Sequence, residues 1–186
     1  MEKPLLILDV DETVLHATEE VLEYPPDFRL FQYHVYKRPG LREFLKNVSS
    51  DYLMAIWSSA SENYVEQCVK NLGVVSFAFE FVWSRSRCTR RMDWDTHEEQ
   101  YIKDLKKVKR RGYSLDRMLI VDDSRHKVSR QFGNAVYVKP FEGAKGDREL
   151  AYLVKYLQRI RDVENFRTLE KGRWRSRLSA PVLGFS

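Results

Sequence analysis

Short, continuous apolar runs recur along the chain and are separated by stretches in which apolar residues have helical spacing. The runs lie at residues 5–10, 52–57, 118–121 and 135–138. Apolar runs of this length are typical of strands that are buried on both faces of a parallel sheet. Strands that alternate with helices predict an α/β fold, a Rossmann-like parallel sheet with helices on both faces.

The spacing of apolar residues between the runs predicts the helices. These helices are expected at about residues 39–48, 62–72, 101–111 and 148–160, with a further short helix after Ser124. Ser61 and Asp147 are suited to cap helix N-termini, and Gly73 is suited to end a helix.

Three other segments have less regular patterns. The alternation at residues 31–36 predicts an edge hairpin, and the β-prone run at 77–83 with the polar stretch after it predicts a small β insertion near residues 77–100. Apolar residues in the tail at 161–186 could form a last helix, with an extended end from Leu178. We therefore expect one domain over residues 1–186, with its core at about 4–160.

The composition is that of an ordinary globular domain with a charged surface. The chain has 186 residues, 43% of them apolar and 32% charged, with a net charge of +5. No apolar run approaches the ~20 residues of a membrane helix, and the first residues lead into a strand and not a signal peptide. Cys68 and Cys88 lack metal-ligand spacing, so we expect reduced thiols and a cytoplasmic location, or a nuclear one in a eukaryote.

Polar residues follow three of the predicted strands. Asp9, Asp11 and Thr13 follow the first, Ser58 and Ser59 the second, and Asp122 and Asp123 the third, while Lys103 lies between the last two in sequence. The carboxyl ends of parallel strands meet at one edge of an open sheet, where active sites form. Each feature alone is common in loops and caps, but their shared placement predicts a single site.

The residue types at this edge indicate phosphoryl transfer. Asp9 and Asp11 raise each other's proton affinity, so the pair fits a bound cation or a nucleophile beside an acid/base. With Asp122 they supply hard oxygen ligands, which suit Mg²⁺ better than Zn²⁺. Ser58 with nearby backbone amides, and Lys103, are suited to phosphate oxygens. This combination predicts an aspartyl-phosphate mechanism.

Four segments resemble the haloacid dehalogenase superfamily, and within it the FCP/SCP-like (NLI-interacting-factor-like) phosphatases. They are Asp9-Val-Asp-Glu-Thr-Val-Leu-His16, Lys37-Arg-Pro-Gly40, Tyr101-Ile-Lys-Asp-Leu105 and Leu119-Ile-Val-Asp-Asp-Ser124. Residues 57–60 and 150–174 are most similar to the branch whose members also carry a ubiquitin-like domain. The resemblance implies a core without a large cap and Mg²⁺-dependent hydrolysis of phosphoserine or phosphothreonine.

The resemblance also implies individual roles. Asp9 would be the nucleophile and Asp11 the general acid and then base, while Ser58, Ser59 and Lys103 would bind the phosphoryl group. Ser58 stands where many members have threonine, which keeps the hydroxyl.

The same resemblance implies a metal site. Asp122 would ligate Mg²⁺ together with Asp9 and the backbone carbonyl of Asp11, and Asp123 would hold a metal-bound water. Thr13 would support the catalytic loop through its hydroxyl group.

Three functions fit these features to different degrees. An open site and basic clusters at 85–91 and 106–111 favour a phosphoprotein or phosphopeptide substrate. A phosphatase for small metabolites is the second reading, but such enzymes usually need a lid, and no insertion is long enough for one. A nucleic-acid-binding or scaffold protein on a degenerate core is the third, although the complete set of polar residues argues against it. We therefore expect neither nucleic acid nor membrane as a partner, and the sequence indicates no oligomeric state.

Overall fold

The structure, a computed structural model, describes residues 2–73, 77–94 and 97–178. Strands and helices alternate along it much as the apolar pattern predicts. The strands are β1 (Leu5–Leu8), β2 (Leu15–Thr18), β3 (Phe28–Leu30), β4 (Tyr33–Lys37), β5 (Leu53–Trp57), β6 (Phe79–Trp83), β7 (Thr89–Met92), β8 (Glu99–Ile102), β9 (Met118–Asp122) and β10 (Ala135–Tyr137). The α-helices are α1 (Leu41–Asp51), α2 (Glu62–Asn71), α3 (Lys106–Lys109) and α4 (Glu149–Ile160).

Five parallel strands form the central sheet, which confirms the predicted fold class. Their spatial order is β10-β9-β1-β5-β6, so β1 is central and lies between β5 and β9. The chain segments that follow β1, β5 and β9 therefore emerge side by side at one edge.

The alternation of side chains along these strands divides the apolar interior into two cores. Leu6 and Leu8 of β1 face the first core, and Leu5 and Ile7 face the second. The apolar stripes of α1, α2 and α4 cover the first core, whereas α3 and a 3-10 segment at His126–Asn134 cover the second. The central sheet is thus covered on both faces, which is why its middle strands are almost entirely apolar.

Two small antiparallel sheets lie beside the central one. The predicted edge hairpin is present as β3 and β4, but β2 also pairs with β4, which the sequence did not indicate. Phe31, expected inside the hairpin strand, instead occupies the turn with a φ of 54°. Strands β7 and β8 form a separate two-stranded hairpin.

The location of the β insertion differs from the prediction. We expected it near residues 77–100, but β6 pairs in parallel with β5 and completes the central sheet. The insertion is therefore the β7–β8 hairpin alone. The predicted helix at 101–111 is also wrong, because Tyr101 and Ile102 belong to β8 and only Lys106–Lys109 is α-helical.

Two further predictions need correction at helix ends and in the tail. The segment after Ser124 is a 3-10 helix whose N-cap is Arg125. Residues after α4 form short 3-10 turns, Phe166–Thr168 and Ser176–Leu178, and no last helix, although Phe166 and Trp174 are buried in the first core. The expected extended end after Leu178 lies outside the described residues.

Neither cysteine forms a disulfide, and each is buried in a different core. Cys68 belongs to the first core and Cys88 to the second. Among the helices in the described part of the chain, none is both long and apolar enough to cross a membrane.

Candidate active site

The carboxyl edge of the sheet gathers the polar residues that follow β1, β5 and β9. Asp9, Ser58 and Asp122 are almost completely buried there, with exposed fractions of 1% or less. Asp9 follows the central strand, and its backbone amide donates to the carbonyl of Val121 on β9. The neighbouring strands thus bring together three segments that are 49 and 64 residues apart in sequence.

Lys103 joins two of these carboxylates. Its side chain is fully buried, and Nζ lies 2.7 Å from Oδ1 of Asp9 and 2.7 Å from Oδ2 of Asp122. The residue lies in the loop after β8, not on a helix as expected, and its amide donates to the carbonyl of Lys127. The loop that carries Lys103 is therefore fixed directly to the segment that follows β9.

Lys127 supplies a second positive charge that the sequence did not indicate. Its Nζ lies 3.2 Å from Oδ2 of Asp9 and 3.7 Å from Oδ1 of Asp123. Each oxygen of Asp9 thus has its own cationic partner, and the amide of Val10 also donates to Oδ1 at 2.8 Å. Asp9 is held in one orientation by groups that favour its ionised form.

Burial and charge act in opposite directions on the acidic groups. Burial alone would raise the pKa of Asp9, but the ammonium groups of Lys103 and Lys127 hold that pKa below its ordinary value. Burial and the charge of Asp9 raise the pKa of Asp122 to about 7, although Lys103 opposes them. Asp9 is therefore the ionised carboxylate of the pair, as a nucleophile requires.

Asp11 has a different environment from Asp9. Its Oδ1 accepts a hydrogen bond of 2.6 Å from the Tyr64 hydroxyl, and the Ser58 hydroxyl lies 3.4 Å from its Oδ2. Burial raises the pKa of Asp11, and the Tyr64 hydrogen bond opposes that effect only in part. A carboxyl group that stays protonated more readily than usual is suited to donate a proton.

Three carboxylates are close enough to bind one metal ion. Oxygens of Asp9, Asp122 and Asp123 lie within 4.8 Å of one another, and the carboxylate of Asp11 is not in this group. Oδ1 of Asp123 is buried and has no hydrogen-bond partner among the described residues. A donor set made only of carboxylate oxygens suits Mg²⁺, and its charge would offset the negative charge collected here. The residues present therefore fit the expected metal.

The two serines that follow β5 differ in their position relative to this centre. The amide of Ala60 donates to Oγ of Ser58 at 2.9 Å, and the Ser58 amide donates to the Trp83 carbonyl, so these two amides already have partners. Ser59 is half-buried, and with Lys127 it lines a cavity of about 370 Å³ whose other wall includes the β7–β8 hairpin. The cavity thus extends from the carboxyl edge of the sheet toward the insertion.

The loop between Asp11 and β2 is fixed through its backbone. The Thr13 hydroxyl, expected to support the loop, is buried without a hydrogen-bond partner in the described part of the chain. Instead the Thr13 amide donates to the Val10 carbonyl, and Glu12 turns the chain with a φ of 56°. Arg38 donates to the carbonyl of Thr13 at 3.0 Å.

Sequence reasoning missed Tyr64, Lys127 and the role of Arg38. Tyr64 shares the apolar stripe of α2, which indicated a core residue. Lys127 follows Asp123 by four residues, a spacing that was visible, but its contact with Asp9 spans 118 residues. Arg38 was part of a recognised segment, without an assigned contact.

The comparison with known families agrees with this geometry. The model of the NLI interacting factor-like phosphatases matches residues 4–167. The chain belongs to this family. Among curated family relatives, CTD small phosphatase-like protein 2 of Dictyostelium discoideum is 28% identical over 87% of the chain. CTD nuclear envelope phosphatase 1 of Xenopus tropicalis is 27% identical over 91% of the chain and 72% of its own length.

The chain spans only part of several relatives. It covers 28% of the first Dictyostelium protein and 52% of another relative from that organism. Among solved structures, Fcp1, an essential RNA polymerase II CTD phosphatase, has a TM-score of 0.57 at 18% identity, over 86% of this chain and 51% of Fcp1. A haloacid dehalogenase-like hydrolase from Xanthomonas campestris has a TM-score of 0.50 at 11% identity, over 78% of this chain and 87% of its own. Both share the fold of this NLI interacting factor-like phosphatase.

Proposed function

We propose that this chain is a Mg²⁺-dependent phosphatase that forms an aspartyl-phosphate on Asp9 and hydrolyses phosphoserine or phosphothreonine in polypeptides. The observation that supports this function best is the environment of Asp9. A buried carboxylate with one lysine at each oxygen, next to Asp122 and Asp123, is ionised, oriented and close to a potential metal site. Family membership supports the same chemistry.

The first half of the reaction transfers the phosphoryl group to the protein. An oxygen of Asp9 attacks phosphorus, so that a new O–P bond forms and the bond to the leaving oxygen breaks. Asp11 gives its proton to that leaving oxygen. Lys103 neutralises charge on the phosphoryl group, and Ser58 donates a hydrogen bond to it, which lowers the barrier more than proton transfer alone does.

The second half regenerates the carboxylate. Asp11, now ionised, takes a proton from water while the water oxygen attacks phosphorus. The bond between phosphorus and Asp9 breaks, inorganic phosphate leaves, and Asp11 is protonated again. Asp9, Asp122 and Asp123 would hold Mg²⁺, which when bound neutralises phosphoryl charge; ligation by the Asp11 carbonyl and a water held by Asp123 stay predictions.

The surroundings of the site favour a polypeptide substrate over a metabolite. The described residues contain no lid domain over the carboxyl edge, and the cavity beside Ser59 and Lys127 extends toward the β7–β8 hairpin. A substrate longer than its phosphate group would fill that cavity. Relatives are named for the C-terminal domain of RNA polymerase II and for the nuclear envelope, and a cytoplasmic or nuclear location stays a prediction that cell fractionation would test.

Hydrolysis of p-nitrophenyl phosphate tests the chemistry. We expect turnover that requires Mg²⁺ and is lost on chelation. Asp9→Asn should reduce kcat at least about 10⁴-fold because it removes the nucleophile, and Asp11→Asn should leave slow phosphorylation of Asp9. Asp162→Asn, an exposed change on the tail side of α4, is the control and should be fully active. Near-normal turnover by Asp9→Asn would refute the assignment of the nucleophile.

The substrate class requires a separate comparison. We expect a higher kcat/KM on phosphoserine and phosphothreonine peptides than on sugar phosphates or nucleotides. A preference for the small esters would favour the metabolite reading. Nucleic-acid binding that weakens steeply with salt, without phosphatase turnover, would favour the scaffold reading.

A further inference from the structure

We propose that Tyr64 is a positioning residue that determines which oxygen of Asp11 carries the transferred proton. The inference rests on the proposed function, because it refines the role of Asp11 as general acid and base. It arises from the contact between a buried phenol on α2 and a carboxylate that follows β1, 53 residues earlier.

The two oxygens of Asp11 have different partners. Tyr64 Oη lies 2.6 Å from Oδ1, which is short for a hydrogen bond and typical of a hydroxyl that donates to a carboxylate. Oδ2 accepts only a long hydrogen bond of 3.4 Å from the Ser58 hydroxyl, which is weaker than the Tyr64 contact. Because Ser58 is the proposed phosphate ligand, Oδ2 is the oxygen on the substrate side.

The direction of the Tyr64 hydrogen bond follows from its other neighbour. Cys68 lies one helical turn further along α2 and is also a buried residue of that helix. A thiol is a poor acceptor, so the phenol hydrogen is directed to the carboxylate. A tyrosine hydroxyl keeps its hydrogen at neutral pH, so the phenol is the donor in this contact.

Oδ1 is the poorer place for the proton of Asp11, because the Tyr64 hydroxyl already donates to it at 2.6 Å, whereas the Ser58 hydroxyl is 3.4 Å from Oδ2 and can turn to a bound phosphoryl oxygen. The proton therefore lies on Oδ2, where it faces the leaving oxygen of an ester bound at Ser58. In the first step the Oδ2–H bond breaks as the leaving oxygen gains the proton, and in the second step Oδ2 takes a proton from the attacking water. Without the phenol, the carboxyl group can rotate, and the proton is shared between both oxygens.

Two aryl esters that differ only in the leaving group test this role. Phenol is a poorer leaving group than p-nitrophenol and depends more on protonation. For Tyr64→Phe we expect kcat/KM to fall about 10–100-fold on phenyl phosphate and less than about threefold on p-nitrophenyl phosphate. The parameter kcat/KM reports the steps up to phosphorylation of Asp9, so a slower second step does not affect it.

Tyr33→Phe is the matched control, because Tyr33 packs edge-on against Tyr64 at a ring distance of 6.3 Å. It should leave both rates unchanged. The ratio of the two kcat/KM values does not depend on how much of a variant is folded, so partial unfolding cannot produce the expected result.

Three outcomes separate the possibilities. A fall on phenyl phosphate alone supports the positioning role. An equal fall in kcat/KM on both esters, or no fall on either, overturns the positioning role of Tyr64. The proposed function is unaffected by that result, because the wild-type chain is still an active phosphatase. A wild-type chain that hydrolyses neither ester refutes the proposed function, and the role of Tyr64 with it.

Discussion

Lys103 is fully buried between two carboxylates, where an ammonium group is costly unless its charge is balanced. Burial would lower the pKa of Lys103, but Asp122 and Asp9 outweigh that effect and raise it, so the lysine stays charged. A pair of contacts at 2.7 Å offsets much of the desolvation penalty. Three ionisable groups that are buried together still cost folding free energy, and clusters of this kind are typical of functional sites.

The charge of Lys103 leads to a prediction about rate. Lys103→Met keeps most of the side chain's volume but leaves Asp9 and Asp122 without their shared cation. We expect kcat on p-nitrophenyl phosphate to fall about 100–1,000-fold and KM to rise, because charge on the phosphoryl group loses a buried partner. Lys106→Met, on the exposed side of the neighbouring helix, is the control. An unchanged kcat for Lys103→Met would remove this lysine from the site.

Residues of the site differ in how visible they are in the sequence. Asp9, Ser58 and Asp122 directly follow apolar runs, so strand-end reasoning was enough to group them. Tyr64 was not predictable in this way, because an aromatic residue on the apolar stripe of a helix looks like any core residue. The contact of Lys127 with Asp9 depends on the path of the 3-10 segment after β9. Local sequence patterns do not determine that path.

At the scale of elements, Arg38 connects segments that meet only in the folded chain. Its guanidinium donates to both oxygens of Asp147 at 2.9 and 2.8 Å, and to the carbonyls of Thr13 and Lys139. Asp147 in turn accepts from the amide of Glu149 at the start of α4. Arg38 thus connects the end of β4, the loop between β1 and β2, and the segment before α4.

Stability should depend on this connection. Arg38→Lys keeps the charge but cannot satisfy the same set of acceptors, so the free energy of unfolding should fall by about 2–4 kcal/mol. Arg42→Lys on the exposed face of α1 should change it by less than about 0.5 kcal/mol. Urea titration followed by circular dichroism measures both. Equal stability of the two variants would show that the Arg38 contacts contribute little.

Helices and strands were predictable where the spacing of apolar residues stays regular over the whole element. They were not predictable where pairing with a distant strand determines the secondary structure. The helices α1, α2 and α4 carry clear apolar stripes, so the sequence located them to within a few residues. The segment 101–111 has a basic run that suits a helix, yet its first residues pair with β7 as a strand. The apolar residues of β6 would suit either a strand of the insertion or a strand of the central sheet. Only its pairing with β5 assigns it to the central sheet.

At the scale of the whole molecule, one sheet separates two cores. Strands β1, β5, β9 and β10 contribute alternate side chains to each core, so neither core can open without loss of the strands that both share. The two cysteines report on the two cores separately, because Cys68 lies in one and Cys88 in the other. The prediction of one domain implies that both cores unfold together.

Thiol labelling tests this cooperativity. Burial raises the pKa of Cys68 to about 12 and also raises that of Cys88, so both stay neutral at pH 8. A neutral thiol is a poor nucleophile, and this effect adds to the shielding of both thiols by the cores. We expect neither cysteine to react with iodoacetamide in the native protein, and both to become reactive at one urea midpoint, read for each peptide by mass spectrometry.

The alternative outcomes are distinct. Because α4 and the tail cover the first core while short helical segments cover the second, independent opening would expose Cys88 at lower urea than Cys68. Two separate midpoints would therefore contradict a single cooperative unit. A shared midpoint that also coincides with the loss of circular dichroism would show that the sheet carrying Asp9, Ser58 and Asp122 is as stable as the molecule itself, so the catalytic edge stays assembled until global unfolding.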